Sequence, residues 1–166
     1  PRSVFGAARE GDLVFVVGGY QGQLRASASV GAYDLQTQAE TPLPNLPSPA
    51  AGAAVALANS TLFVAGGVPE LSTSRVVEPH ADCNGLDLGS GVWSPCPAPG
   101  NGPLAHAAWA AYGTDLLLFG GVKRADDREG GSTIATRFVE RFSPQAGGRW
   151  RAETLMPEQR AGAALS

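Results

Sequence analysis

Leu13–Gly19 reads LVFVVGG, Leu62–Gly67 reads LFVAGG and Leu116–Gly121 reads LLLFGG. Each is a short apolar run of Val, Leu and Phe that closes on a glycine doublet. The doublets end at Gly19, Gly67 and Gly121, so they stand 48 and 54 residues apart. A period of that size fits a repeating four-stranded unit and exceeds that of most helical or leucine-rich repeats. Extending backward from each doublet gives SVFGAAREGDLVFVVGG, AGAAVALANSTLFVAGG and AHAAWAAYGTDLLLFGG. Each segment predicts a hairpin: a strand of small residues, a turn at Glu10 to Asp12, Asn59-Ser60 or Gly113 to Asp115, and a bulkier second strand. Ala and Gly suit innermost strands crowded around an axis, while Val, Leu and Phe fill the space between sheets.

Downstream of each doublet comes a variable polar stretch and then a third strand, ASVGAYDL, DCNGLDL or FVERFSP. Leu86 is followed seven residues later by Trp93, and Phe142 eight residues later by Trp150. In the first unit Glu40 stands where the Trp is expected, so its fourth strand should be the poorest packed. Proline-rich links close the units, and prolines are tolerated at outer edge strands, where a missing donor costs little.

Composition bounds the function classes. The chain has 166 residues, 43% hydrophobic content, 22 Gly, 13 Pro and a net charge of −3, which fits one globular domain of short strands and tight turns. That charge argues against nucleic acid as a partner. No apolar run approaches the roughly 20 residues of a spanning helix, so no membrane span is expected. The start, PRSVFGAAREGD, lacks a secretory pattern, which a trimmed chain would also lack. The compartment stays open, with the cytoplasm slightly favoured over secretion.

Cys83 and Cys96 are too few for a disulfide framework and lack the flanking pattern of a zinc site. A two-residue turn at Gly89-Ser90 would set Leu86 against Trp93 and Cys83 against Cys96, as a non-hydrogen-bonded pair compatible with a bridge. That register puts Pro95 on a hydrogen-bonding position it cannot fill, which argues for a longer turn and a different pairing. Two small buried apolar residues is the favoured reading, and a disulfide is the alternative.

The doublets, Tyr33-Asp34, the spaced Trp93 and Trp150 and the closing Met156-Pro157 with Arg160 resemble kelch repeats over essentially the whole chain. The match is best in Tyr33 to Gly67 and Phe142 to Arg160, and weaker where Leu86 replaces Tyr and Glu40 replaces Trp. The resemblance implies an all-β fold, a kelch-type β-propeller of three four-stranded antiparallel blades plus the first strand of a fourth. Blades are expected at about 2–49, 50–102 and 103–159, with 160–166 opening a further blade in a single partial domain. Closed propellers need at least four blades. The remaining blades are therefore expected from a longer protein, of which this chain is a fragment, or alternatively from a second copy.

No nucleophile elbow, phosphate loop or metal-ligand spacing is present, so no catalytic residue and no cofactor are expected. The densest charge cluster, Lys123 to Glu129, reads as a solvated loop, and its adjacent Asp126 and Asp127 are a weak pointer to a metal or to acid/base work. By the resemblance, the loops after the doublets grip protein or peptide ligands. Tyr20, Arg25, Arg75, Arg124 and Arg128 are then the candidate contacts, since Tyr and Arg dominate interface hot spots. Arg2 and Arg160 stand just before an inner strand, aligned with Ala50 and Pro103. In family members such arginines bind acidic ligands, although packing between blades is the plainer reading. His106 aligns with Ala53 and Phe5 and reads as structural. His80 makes no recognised metal spacing with it. Asn59-Ser60-Thr61 is a formal glycosylation acceptor, though Asn also suits the turn itself.

Three functions are weighed. The leading one is a non-catalytic interaction module, as in kelch-type substrate adaptors or scaffolds. The resemblance also admits a propeller enzyme, an oxidase, sugar mutarotase or lyase, but two His and two Cys do not build the copper site of such an oxidase. The third is a secreted glycoprotein domain with Cys83–Cys96 bridged and Asn59 glycosylated.

Overall fold

The computed structural model of the chain describes residues 2–22, 25–69, 78–125 and 133–162. These residues are all-β, with one 3-10 turn at Pro144–Ala146 and no helix long and apolar enough to cross a membrane. In the first unit β1 (Gly6–Glu10) and β2 (Leu13–Val17) form the expected hairpin. A small side hairpin of β3 (Tyr20–Gln21) and β4 (Arg25–Ala26) follows, and β5 (Val30–Asp34) and β6 (Glu40–Leu43) complete the sheet in the order β1-β2-β5-β6. The second unit repeats this with β7 (Ala54–Ala58), β8 (Thr61–Ala65), β9 (Cys83–Asp87) and β10 (Val92–Pro95). The third has β11 (Ala108–Tyr112) and β12 (Asp115–Phe119), a side hairpin of β13 (Val122–Arg124) and β14 (Thr133–Ala135), then β15 (Val139–Ser143) and β16 (Arg149–Ala152). All three four-stranded sheets are antiparallel.

The sheets pack face to face in series, with β7 beside both β1 and β11. Strand alternation decides which residues enter each seam. Phe15, Val17, Val30 and Ala32 of the first sheet meet Val55, Leu62, Val64 and Leu86 of the second. From its other face the second sheet offers Ala54, Ala56, Ala58 and Phe63 to Trp109, Leu116, Leu118 and Phe142 of the third. Leu62, Leu86, Leu116 and Phe142 are at most 1% exposed, and full burial of such a side chain stabilises by about 1.5–3 kcal/mol.

The doublets explain how one sheet docks on the next. Both glycines of each pair are left-handed, with φ between 60° and 98°. A Cβ on Gly18, Gly66 or Gly120 would lie 2.0, 2.1 or 2.3 Å from the carbonyl oxygen of Ala50, Leu104 or Arg160 in the following segment. No side chain fits there. The second glycine uses the same approach: Gly19, Gly67 and Gly121 N–H each donate to that carbonyl at 2.8 Å. A second set of bonds links equivalent left-handed residues, with Gly52 N donating to Val4 O, His106 N to Gly52 O and Gly162 N to His106 O.

These bonds correct two alignments. Arg2 and Arg160 correspond to Ala50 and Leu104, not to Pro103, because Leu104 O takes the doublet bond. His106 corresponds to Gly52 and Val4 rather than to Ala53 and Phe5.

The outer hairpin of the second unit corrects a third expectation. The pairing is Trp93 with Leu86 and Pro95 with Asn84, but the connection is four residues, Leu88 to Gly91, closed by Gly91 N donating to Asp87 O at 2.8 Å. The longer loop shifts the hydrogen-bond parity and leaves the pairing unchanged. Cys96 N therefore donates to Cys83 O at 2.9 Å, and Pro95 falls on the alternate position, where no ladder bond is owed. Cys83 and Cys96 form a disulfide with Cα atoms 5.0 Å apart, so the reading as two unbridged thiols gives way.

Candidate functional site

The segments that follow the doublets share one side of the sheet series, and neighbouring ones are tied together. Ala26 N donates to Pro69 O at 3.2 Å, joining the first loop to the second. Arg124 Nη1 donates to Glu78 Oε1 at 2.9 Å, joining the third to the second. Beneath them Tyr20, Ala51, Val68 and Ala105 form a small buried cluster with Ala26 and Val122.

Burial sorts the candidate contacts. Tyr20 is only 5% exposed, its hydroxyl lacks a partner among the described residues, and burial pushes its pKa up. It therefore supports the loop side rather than projecting from it. Arg25 is exposed on β4. Arg124 is half-exposed and held by Glu78. Arg75, Arg128, Asp126 and Asp127 lie outside the described residues.

Arg2 and Arg160 share a position and diverge in contact. The Arg2 guanidinium donates to Ser29 O at 3.4 Å and stands 3.9 Å from Glu40 Oε1. It lines an open groove of about 600 Å³ with Gln21, Gly31, Tyr33 and Glu40, on the face of the first sheet turned away from the second. Arg160 is well exposed and pairs with Glu158 at 3.1 Å. The two arginines are not brought together.

His106 has φ 55° and its ring lies across Gly52, where an added Cβ would meet Nδ1 at 2.7 Å. Burial holds its pKa below the usual 6.5. His80 approaches Asp82 at 3.9 Å. Among the described residues no three His, Cys, Asp or Glu side chains are placed to hold a metal ion. Asn59 and Ser60 are exposed and both left-handed, with φ 50° and 54°, so this Asn serves the tight turn of its hairpin. Asp34 and Asp87 open the outer hairpins. Backbone N–H donation, from Thr37 and Gln36 to the first and from Ser90 to the second, holds both carboxyls below the usual range.

Two features of the third unit escaped the sequence reading. On its far face Arg141 lies 3.6 Å from Asp115 and 2.8 Å from Glu153, with Tyr112 under its guanidinium. On its near face Glu140 is 4% exposed, beside the link 101–104 that leads into the third sheet. Alternation carried that signal, because Glu140 shares its strand face with the core residue Phe142.

No family model matches the chain, and no curated protein matches it. A solved structure named YjhT superposes with a TM-score of 0.74 at 18% identity, over 98% of this chain and 53% of that one. The chain thus spans about half the length of that structure. At this identity the likeness concerns the fold alone. Matches extend to 168 solved chains, so the scaffold is common and does not choose a function.

Proposed function

We propose that the three sheets are blades of a kelch-type β-propeller and that the chain is a non-catalytic interaction module. Its variable loops after the doublets receive a protein or peptide. The observation that carries this reading is the loop side itself. Three loops unlike in length and charge stand on units that repeat the same backbone bonds, and Arg124–Glu78 and Ala26–Pro69 fix neighbouring loops to each other. A rigid frame bearing divergent loops suits recognition without chemistry. Apolar side chains on the two outward faces, Val14, Val16 and Tyr33 on one and Leu117 and Phe119 on the other, support further blades from a longer chain or from a second copy.

A secreted variant of this reading is favoured by the Cys83–Cys96 disulfide, since such bridges persist in oxidising compartments. The enzyme reading gains no comparable support.

Selection of binders from a displayed peptide library, followed by titration with Arg25→Ala, Arg75→Ala, Arg124→Ala and Arg128→Ala variants, tests the loop assignment. Roughly tenfold weaker binding with unchanged Tm is expected from at least one variant. Binding unaffected by all four, or specific thermal stabilisation by a metal ion or a sugar, would count against the module.

A further inference from the structure

Glu140 and Thr136 are the two buried polar or charged residues among those described, at 4% and 7% exposure, and both line the same cavity. That cavity lies between the third sheet and the link 101–104 that leads into it and measures about 10 Å³, with Asn101, Lys123 and Phe138 in its wall. The polar groups there are poorly satisfied. Glu140 accepts one long bond, 3.4 Å from Asn101 N, and Thr136 Oγ1 is buried with no partner. Lys123 Nζ sits 5.2 Å above the Phe138 ring, in the same wall.

An equivalent niche lies between the second sheet and the link 46–50 that leads into it. It is again about 10 Å³ and is lined by Ser48, His80, Asp82 and Asn84. His80 and Thr136 are equivalent, because their N–H groups donate to Gly67 O and Gly121 O. His80 Nε2 is likewise buried without a partner. An orphaned polar atom at the same place in both units is one feature of the repeat rather than two separate defects.

We infer that each niche is a single-water site, and that in the third unit the water links Lys123, Glu140 and Thr136. The volume matches one water, which needs about 10–15 Å³ and two to four polar partners. A water can donate to a Glu140 carboxylate oxygen and to Thr136 Oγ1 while accepting from Lys123 Nζ, which satisfies all three. A metal cation fits worse, because the Lys123 ammonium already supplies positive charge and a divalent ion asks for six or more oxygens. The bridge has a consequence for the loop. Lys123 lies on β13 and Thr136 directly follows β14, so the water fastens both arms of the third loop's stem to Glu140 on β15.

The test is a high-resolution crystal structure of the chain, together with hydrogen exchange on Glu140→Gln, Lys123→Met and their double variant. Expected is one ordered water within hydrogen-bond distance of Glu140 and Thr136. Amide exchange over Val122–Arg124 should rise roughly five- to tenfold in each single variant and no further in the double. A dry cavity or a direct Lys123–Glu140 ion pair overturns the inference. So does a Tm raised by sodium over choline chloride at equal ionic strength and insensitive to sodium in Glu140→Gln, since that response assigns the site to a cation. If the Glu140 variant does not fold, the crystal structure and a Thr136→Val variant, whose niche should be dry or its water displaced, still decide. None of these outcomes depends on the propeller assignment, because the niche lies wholly between the third unit and the link that leads into it.

Discussion

The seam between the first and second sheets is largely aliphatic, built from Val17, Val30, Val55, Leu62, Val64 and Leu86 around Phe15. Between the second and third sheets it is aromatic, with Phe63 5.5 Å from Phe142 in edge contact, Phe142 4.9 Å from Trp150, and Trp109 stacked on Trp150 at 5.7 Å. The doublet bonds and the bonds between left-handed residues recur in both seams. Volume is divided differently: alanines 54, 56, 58 and 65 on the second sheet recede where Trp109 and Phe142 advance. One backbone arrangement therefore accepts two packings, provided large faces small. At the outer rim both seams are closed alike, by Trp93 Nε1 donating to Pro44 O and Trp150 Nε1 to Pro97 O.

The strongest test of the shared frame is a side chain in a doublet. Gly18→Ala and Gly66→Ala should each cost more than about 4 kcal/mol, since the new Cβ meets a backbone oxygen that cannot yield. Urea unfolding that finds either one mild would show the frame is not common to both seams. Side-chain removal should then separate them. Phe142→Ala is expected to cost about 3–5 kcal/mol and Val17→Ala about 2 kcal/mol, because the aromatic leaves the larger cavity.

The disulfide belongs to the aromatic seam alone, where Cys83 and Cys96 pack with Phe63 and Trp150. Joining residues 13 positions apart, it should contribute about 3 kcal/mol, read as the loss of unfolding free energy in urea on reduction. Intact mass with and without reductant checks that the bridge forms. Trp93→Phe and Trp150→Phe should each lose about 1 kcal/mol through the indole bond. Unequal losses would show that the rim bond is not the shared part.

The smallest effect is a pH dependence at His106. Its pKa is held below 6.5 by burial, so the unfolded state takes up a proton first. The neutral ring's contribution is complete above the unfolded value and declines as pH falls below it, until the folded state protonates too. Urea midpoints between pH 7.5 and 5.5 should fall less in His106→Asn, a residue that tolerates the left-handed backbone. Parallel declines would remove His106 as the cause.

Sequence patterns determined the four main strands of each unit and which of their faces are apolar, but not the side hairpins β3-β4 and β13-β14. Alternating apolar residues and turn-forming pairs are local signals, and the 48- and 54-residue intervals repeat them. Tertiary structure decided what depends on chain segments far apart. The doublets read as turn punctuation, yet they are glycine because a carbonyl about 30 to 40 residues onward closes on them. Tyr20 read as a projecting contact, yet Ala51, Val68 and Ala105 bury it. The Cys83–Cys96 bridge turned on hydrogen-bond parity, which loop length sets and composition does not reveal. The Glu140 niche needed the link at 101–104, since a strand's alternation says that a carboxylate faces inward but not what it meets there.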